Sequence, residues 1–442
     1  MRFCFETLGC KVNQFETQAL ETILLSRGHT PAKAGEGCDA VIVNTCAVTA
    51  ESGRKSRQAI RRLKKLEPEA VAAVCGCFSQ VSPEEIQDLG ADLVTGSGDR
   101  LQFVGMLEQA YTDKAEKRAN RLPPLSGDSL HIDNPLGRRV FEELPAGSVP
   151  GRTRALLKIQ DGCRNYCAYC IIPYARGPVR SLPLARAAAE SARLGAEGYG
   201  EIVVTGIEIS SYGKDFEDGT SLIDAIGAIS AAAPAARLRL GSLEPRTITG
   251  AFCAELIKLS NICDHFHLSL QSGCDETLGR MKRRYTAAEF YNAVCLLRQY
   301  YPDCGITADL IVGFPGETEE EFEKTLSFIK KCAFSSMHIF PYSRRQGTLA
   351  ADMPEQVPKA VKQERVRRAS EAAREMARTY AAGCVGSVLN VLFEREEEGR
   401  WHGHAGNYLE VAAGGTDLRN KTLPVRITHE KDRLLSGEIV QP

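Results

Sequence analysis

The sequence predicts an α/β protein with three units: a small N-terminal parallel α/β domain, a central partial (β/α)6 barrel and a small C-terminal β-barrel. Three observations support this fold class. The chain has 442 residues, more than one domain usually contains. Apolar β-rich runs alternate with helical patterns over most of the chain, and after Gly383 short strands separated by glycines replace that alternation.

The composition is typical of a globular protein. The 55 Lys and Arg residues balance 56 Asp and Glu residues, which excludes a uniformly basic coat protein for nucleic acid. Neither a leader pattern nor an apolar run of membrane-spanning length is present, so we expect a cytoplasmic protein without a membrane contact. Cytosolic thiols stay reduced, and clusters among the 16 cysteines therefore favour metal binding over disulfides.

The first unit is predicted to span residues 1–112. Its strands are Arg2 to Glu6, Ala40 to Val43, Ala70 to Val74 and Ala91 to Val94. The helix at residues 51–66 carries a basic face and turns Ile60 and Leu63 toward the sheet. Residues 112–150 collect prolines and lose periodicity, which is typical of a connecting segment.

The second unit, residues 149–378, is predicted to repeat a strand and a helix six times. Its strands are Ala155 to Ile159, Glu201 to Thr205, Arg237 to Leu240, His265 to Leu270, Ile306 to Val312 and Ser336 to Phe340. Right-handed crossovers make such a series an open or partial barrel, with its chemistry at the carboxyl ends of the strands. The third unit, residues 381–442, contains the strands Ser387 to Phe393, Tyr408 to Val411, Leu423 to Ile427 and Leu435 to Val440.

The strongest motif is a run of three cysteines, Cys163, Cys167 and Cys170, directly after the first strand of the six-unit series. Three thiolates in one loop favour an iron-sulfur cluster or zinc. No further Cys or His follows within about thirty residues. An open position on the metal favours a catalytic 4Fe-4S cluster, and the alternative is a zinc site completed from a distant segment.

A second, dispersed set of cysteines follows the N-terminal strands. Cys10 follows the first strand, Cys46 the second, and Cys75 and Cys77 the third. Loops at the carboxyl ends of neighbouring parallel strands open on one edge of a sheet, so three distant thiolates can meet there. This arrangement supports a second cluster, and the alternative is that these are buried free cysteines.

Polar residues also stand near the ends of three core strands: Ser242, Gln271 and Asp309. At the mouth of a barrel such residues are candidate cofactor contacts. The alternative is that each is an ordinary residue that caps the following helix.

The cysteine run resembles the radical S-adenosylmethionine superfamily, whose CxxxCxxC loop follows the first strand of a partial six-unit barrel. The resemblance implies that Cys163, Cys167 and Cys170 hold a catalytic 4Fe-4S cluster whose open iron binds S-adenosylmethionine. Reductive cleavage of this cofactor yields a 5′-deoxyadenosyl radical. Tyr169 occupies the aromatic position that lies near the adenine in this superfamily, and its alternative role is packing within the loop.

With the N-terminal set, the chain resembles the methylthiotransferase family, which joins a three-cysteine domain, a radical S-adenosylmethionine core and a TRAM domain. The resemblance implies that Cys10, Cys46 and Cys77 hold an auxiliary 4Fe-4S cluster. Cys77 is preferred to Cys75 because Gly76-Cys77-Phe-Ser-Gln80 matches the family motif Gly-Cys-x-x-Gln. Two S-adenosylmethionine molecules, a sulfur source and an external one-electron reductant of the flavodoxin or ferredoxin type are further implications.

Three segments look most like the branch that methylthiolates C2 of N6-threonylcarbamoyladenosine at position 37 of tRNA: residues 7–17, 170–177 and 281–286. Other branches act on isopentenyladenosine in tRNA or on an aspartate of a ribosomal protein, and they carry different residues after the first cysteine. A two-cluster electron-transfer protein without an RNA partner is the alternative of a different class. Glu208 departs from the residues usual in related enzymes, and its role stays open.

The predicted tRNA partner requires positive surface. Basic residues occur in the helix at residues 51–66, after the fourth core strand and in the last core helix. The unit from Cys384 onward holds seven Lys and Arg residues against nine Asp and Glu residues, so it is slightly acidic. Its expected RNA contacts are therefore shape and the stacking of Tyr408 or Trp401.

Overall fold

The computed structural model describes residues 1–119, 129–147 and 152–440, and it confirms the predicted α/β class. The strands of the N-terminal unit are β1 (Arg2–Thr7), β2 (Thr30–Pro31), β3 (Ala40–Thr45), β4 (Val71–Gly76), β5 (Leu93–Thr95) and β6 (Leu130–His131). Its helices are α1 (Lys11–Ser26), α2 (Ala50–Leu66), α3 (Cys77–Val81), α4 (Pro83–Gln87) and α5 (Arg100–Ala119).

The six N-terminal strands form one parallel sheet in the order β2-β1-β3-β4-β5-β6. Apolar side chains of α1 and α5 cover one face, and those of α2, including Ile60 and Leu63 as predicted, cover the other. Because β1, β3 and β4 are neighbours, the loops at their carboxyl ends lie side by side.

The predicted connecting segment, residues 112–150, contains more regular structure than its sequence indicates. Helix α5 continues to Ala119, and β6 pairs with β5 at the edge of the N-terminal sheet. A strand of two residues is too short to produce a periodic pattern, which explains why the sequence missed it. The domain limits 1–112, 149–378 and 381–442 stay a prediction.

The core unit contains β7 (Arg154–Asp161), α6 (Ile172–Arg176), β8 (Arg180–Ser181), α7 (Leu184–Ala196), β9 (Glu201–Gly206), α8 (Leu222–Ala232), β10 (Arg237–Leu240), α9 (Gly250–Leu256), β11 (His265–Gln271), α10 (Asp275–Arg280), α11 (Ala287–Tyr300), β12 (Gly305–Val312), α12 (Glu319–Cys332), β13 (Ser336–Pro341), α13 (Leu349–Asp352) and α14 (Lys359–Gly383). The six predicted strands are all present and correspond to β7 and β9 to β13.

The barrel is partial, as predicted. Its strands form two sheets, β10-β9-β7-β8 and β11-β12-β13, and two isolated bridges link β10 and the residues just after it to the β11 region. Along β7, Leu157 and Ile159 join the apolar cluster shared with α7 and α8. The alternate residues, including Leu156 and Lys158, therefore point to the barrel interior. Helix α1 packs against β7 and β9, so the N-terminal unit covers part of the open barrel.

The C-terminal unit is a closed barrel of five strands: β14 (Val388–Glu397), β15 (Arg400–Ala405), β16 (Glu410–Ala413), β17 (Thr422–Lys431) and β18 (Leu434–Ile439). The sequence did not predict β15, because its glycine and histidines obscure the alternation of buried and exposed residues. Trp401 on β15 is buried in the core of this barrel, so the expectation that it stacks on RNA was wrong. Within the described ranges, no helix has the length and apolar character needed to cross a bilayer.

Candidate functional site

The core cysteines lie in the loop that connects β7 to α6. Gly162, with a φ of +73°, begins this loop, and a Cβ there would lie 1.8 Å from the Pro178 carbonyl oxygen. The backbone N–H of Cys163 donates to the Gly177 carbonyl, and that of Cys170 donates to the Cys167 carbonyl. Burial, together with the charge of neighbouring Cys167, raises the pKa of Cys163 and Cys170 to about 12. The structure therefore places these three thiols close enough for their charges to interact.

One arginine contacts this loop. Arg283 Nη1 donates to Cys167 Sγ at 3.3 Å, and its guanidinium lies over the Tyr285 ring with its carbon 4.8 Å from the ring centre. The sequence singled out the segment at 281–286 but read Arg283 as surface charge. That interpretation was wrong because the half-buried guanidinium is hydrogen-bonded to the loop. Its position after β11 was the available signal.

The other predicted cofactor residues lie around the barrel mouth and interior. The Tyr169 ring contacts Phe314 edge to face at 6.5 Å, within the apolar cluster that includes Met281. Asp309 accepts a hydrogen bond from His267 Nε2 at 3.2 Å inside the barrel. Gln271 ends β11 in a left-handed conformation with a φ of +66°. Ser242 is exposed just after β10. Their roles as cofactor contacts stay predictions.

Glu208 leaves an acceptor open at the same end of the barrel. Its Oε2 accepts from the Ser211 hydroxyl, whereas its Oε1 is buried and has no hydrogen-bond partner among the described residues. Its backbone N–H donates to Gln160 Oε1 at 2.8 Å, on the strand that leads to Cys163. Burial raises the pKa of Glu208, and the Ser211 hydroxyl opposes that effect. An incoming ammonium or amide N–H would satisfy this acceptor.

The N-terminal cysteines converge as the topology predicts. Cys10 precedes α1, Cys46 follows β3, and Cys77 begins α3. Gly9 has a φ of +111°, and a Cβ at this position would lie 2.9 Å from Cys46 Sγ, so the first two loops touch. Cys46 and Cys77 are buried, whereas Cys10 is exposed. Desolvation raises the pKa of all three thiols, and the charge of another member of the set raises each pKa further.

Cys75 does not point toward these three thiols. It is completely buried in β4 and belongs to the apolar cluster on the α1 side of the sheet, whereas Cys77 packs with the cluster on the opposite side. Gln80, the last residue of the Gly-Cys-x-x-Gln segment, accepts from the Ser97 backbone N–H at 2.9 Å and donates to the Asp133 carbonyl at 2.9 Å. This glutamine therefore ties the Cys77 helix to two neighbouring segments.

A buried ionic cluster joins the two cysteine sites. Arg176, six positions after Cys170, donates through Nε to Cys77 Sγ at 3.1 Å. The same guanidinium pairs with Glu16 and donates to Asn13 Oδ1 at 3.0 Å. The whole ionic cluster, with every member at most 4% exposed, consists of Glu16, Arg100, Lys158, Asp161, Arg176 and Arg180. The sequence did not identify Arg176 or Glu16 as site residues, because they are 160 positions apart.

A cavity of about 600 Å³ opens beside both cysteine sites. Residues from α2, α3, α4, α6 and the loop after β13 line it, among them Arg57, Phe78, Tyr174 and Arg345. Arg345 donates to the Thr49 carbonyl at 3.3 Å, and its Nε is buried without a partner among the described residues. Two carboxylates, Glu84 and Glu85, also line the cavity, and Glu85 pairs with Arg57. The aromatic and arginine side chains of the wall suit a nucleotide.

The comparisons with known proteins cover nearly the whole chain. Residues 157–329 match the family model described as Radical SAM superfamily, and residues 2–96 match the one described as Uncharacterized protein family UPF0004. The curated Threonylcarbamoyladenosine tRNA methylthiotransferase MtaB of Bacillus subtilis is 39% identical over 432 residues, 96% of this chain and 93% of that protein. Its namesake in Thermotoga maritima is 36% identical over 390 residues, 88% of this chain and 86% of that protein.

The chain belongs to the radical S-adenosylmethionine methylthiotransferase family. Another relative, the tRNA-2-methylthio-N(6)-dimethylallyladenosine synthase of Symbiobacterium thermophilum, is 32% identical over 459 residues, 100% of this chain and 94% of that protein. Among solved structures, the radical S-adenosylmethionine methyltransferase TsrM from Kitasatospora setae shares the fold, with a TM-score of 0.57, 16% identity and coverage of 91% of this chain and 80% of that one.

The donor sets of this methylthiotransferase fit the cofactors that its family uses, S-adenosylmethionine and 4Fe-4S clusters. Each site offers three thiols, the set that leaves one iron of a cluster free for another ligand. In the ionic cluster, four cations face two carboxylates, which leaves positive charge beside Cys77 for an anionic group. Among the described residues, no three His, Cys, Asp or Glu side chains gather around a single metal ion. An iron-sulfur cluster does not require that arrangement, because each thiolate binds a different iron.

Replacing Cys77 and Cys75 separately tests the auxiliary site. We expect Cys77→Ala to lose one cluster's share of iron, because the thiol at the start of α3 faces Cys10 and Cys46. We expect Cys75→Ala to retain all the iron, because its side chain packs on the other side of the sheet. The measurement is iron and sulfide content of the reconstituted full chain, and loss of iron in Cys75→Ala alone would reverse the assignment.

Replacing Arg176 tests the contact to Cys77. An N–H donated to a cluster sulfur raises the reduction potential. Lysine keeps the positive charge but lacks the fork that reaches both Glu16 and Cys77, so we expect Arg176→Lys to make the auxiliary cluster harder to reduce. The measurement is an EPR-monitored redox titration of the full chain with Cys163, Cys167 and Cys170 replaced by alanine.

The matched control for this titration is Arg100→Lys. Arg100 is equally buried and binds the same Glu16 carboxylate at 2.8 Å, but no hydrogen bond joins it to Cys77. A comparable loss of stability in both variants is expected, with a changed potential only in Arg176→Lys. Equal potentials in the two variants would show that Arg176 only holds the domains together.

Proposed function

We propose that this protein methylthiolates C2 of N6-threonylcarbamoyladenosine at position 37 of tRNA. The observation that carries the proposal is the pair of three-cysteine sites, joined through Arg176, in a chain similar over nearly its whole length to relatives with that named activity. When bound, S-adenosylmethionine and the two clusters supply a hydrogen-abstracting radical, a methyl group and sulfur. The C2–H bond breaks and a C2–S bond replaces it, so two S-adenosylmethionine molecules and external electrons are required.

The residues of this chain bind and orient the cofactors and the substrate. The six proposed ligands, Cys10, Cys46, Cys77, Cys163, Cys167 and Cys170, place the two cofactor sites on adjacent surfaces of the two domains. Arg176 and Arg283 each donate to one of these thiols. The Arg176 charge lowers the pKa of Cys77 against the larger effect of burial, which favours the thiolate that binds iron. Glu208 offers a buried acceptor at the barrel mouth. The cytoplasm, where tRNA and reduced thiols occur, is the proposed location.

Unpaired positive charge on the cavity wall and along α2 supports an RNA partner. Arg344 on the cavity wall and Arg61 on α2 are exposed, and neither makes an ion pair among the described residues. Arg365, Arg367 and Arg368 of the last core helix pair with glutamates, and Arg54, Arg57 and Arg62 of α2 are paired in the same way. The proposed RNA surface lies at the cavity wall and at the unpaired cations of α2.

The second candidate substrate is dimethylallyladenosine, the isopentenyl nucleoside in tRNA. Relatives named for that nucleoside are 32% to 34% identical over 99% or more of this chain, close to the values for the first group. Expression in cells that make both hypermodified adenosines but lack both methylthio products separates the two. We expect mass spectrometry of digested tRNA to reveal 2-methylthio-N6-threonylcarbamoyladenosine.

Each other outcome of that experiment has a definite meaning. The methylthio group on the dimethylallyl nucleoside would replace the proposed substrate and keep the chemistry. An unchanged tRNA, from protein shown to contain both clusters, would redirect the search to the aspartate of a ribosomal protein.

Reversing charge at Arg61 and Arg344 tests the RNA surface. Each phosphate contact contributes roughly 0.7 to 0.9 to the slope of log affinity against log salt. We expect Arg61→Glu with Arg344→Glu to weaken tRNA binding and to lower that slope by about 1.5. The control is Arg374→Glu with Arg378→Glu on the exposed face of α14, which makes the same charge change away from the cavity wall. An unchanged slope in the double variant would place the RNA elsewhere.

A further inference from the structure

A second cavity, of about 410 Å³, lies where all three units meet. Its wall includes Lys11 and Gln14 from α1, Leu156 and Val203 from the interior faces of β7 and β9, and Tyr408 from the C-terminal barrel. Lys11 directly follows the proposed cluster ligand Cys10, and consecutive Cα atoms are about 3.8 Å apart. The cavity therefore begins within one side chain of the auxiliary site.

The wall of this cavity carries an excess of positive charge. Its cations are Lys11, Arg152, Arg154, Arg239 and Arg395, and its one carboxylate is Glu394. Glu394 pairs with Arg154 at 2.7 Å, and Arg239 pairs with Glu201 behind the wall. Arg395 pairs with Glu397 and Glu410. Lys11 and Arg152 are exposed and have no ion pair among the described residues, although the Arg152 charge acts on Glu21.

The C-terminal barrel closes the cavity with a fixed aromatic side chain. Tyr408 sits in a turn with a φ of +73°, and its ring stacks on His265 at 4.8 Å and on His404 at 5.2 Å. The Arg239 guanidinium lies over the same ring at 4.7 Å. The ring is 40% exposed, toward the cavity. Tyr408 is thus held by protein contacts and forms part of the cavity wall, and its expected stacking on RNA stays a prediction.

We propose that this cavity binds the carboxylate of the N6-threonylcarbamoyl substituent, with Lys11 as its main ligand and Arg152 as a second cation. The inference rests on the proposed function and deepens it by naming what selects the substrate. A carboxylate gains charge-assisted hydrogen bonds from these cations, whereas an apolar dimethylallyl group would cover them without supplying an anion. The nucleobase would then extend from the cavity toward Cys10.

The test compares two anticodon stem-loop RNAs that differ only in charge. One carries N6-threonylcarbamoyladenosine and the other carries its carboxylate methyl ester. We expect the wild-type chain to bind and turn over the acid at least about tenfold better than the ester, and Lys11→Met to lose most of that preference. Binding is measured by fluorescence anisotropy without reductant, and turnover as kcat/KM.

Three controls make the result specific. Iron content and S-adenosylmethionine cleavage without RNA verify that Lys11→Met leaves the neighbouring cluster site intact. Lys258→Met removes an exposed lysine on another face and should keep the full preference. Arg152→Met should reduce the preference in part, and it replaces Lys11→Met as the test should that variant lose iron.

The outcomes separate this inference from the proposed function. Equal handling of acid and ester by the wild-type chain, or an undiminished preference in both Lys11→Met and Arg152→Met, would overturn the carboxylate site while leaving the activity in place. Failure of the wild-type chain to modify the acid RNA, alongside modification of dimethylallyladenosine RNA, would overturn the proposed substrate itself.

Discussion

The geometry of the candidate site depends on the buried ionic cluster between the N-terminal unit and the core. Glu16 from α1 binds Arg100 of its own unit together with Lys158 and Arg176 of the core. Removing one partner of a buried pair costs about 3–5 kcal/mol, because the remaining charge cannot return to water. The two units therefore have one strongly preferred docking, and that docking sets the separation of the two cysteine loops. An anionic group at Cys77 would also balance the excess positive charge.

The sequence predicted the features that are local or that follow from topology. Cys163, Cys167 and Cys170 lie in one loop, so their spacing alone indicates a metal site. Cys10 and Cys46 were predicted to meet because the carboxyl ends of adjacent parallel strands share an edge, and the structure places them in contact through Gly9. All six core strands were predicted because buried parallel strands are recognisable in the sequence as apolar runs.

The missed features depend on contacts between distant positions. Arg176 belongs to a segment that the sequence singled out, yet its partners Glu16 and Cys77 are far away in the chain, and a lone arginine carries no mark of such contacts. The charge pattern was misleading for the same reason, since the sequence does not distinguish an exposed arginine such as Arg344 from one that is hydrogen-bonded to a cysteine loop, such as Arg283. The strand β15 was missed because its glycine and histidines weaken the alternation of buried residues.

Helix α1 shows how one element can serve chemistry and substrate choice separately. Cys10 precedes its first turn, Lys11 and Gln14 face the cationic cavity, and Asn13 and Glu16 contact Arg176. Residues three apart share a helical face, whereas Lys11 and Asn13 are about 200° apart around the axis. A change at the Lys11 face would therefore alter what the cavity accepts without disturbing the contacts that hold Cys77. Within one family, such a helix lets the substituent on the nucleobase vary while the arrangement of the two cofactor sites stays constant.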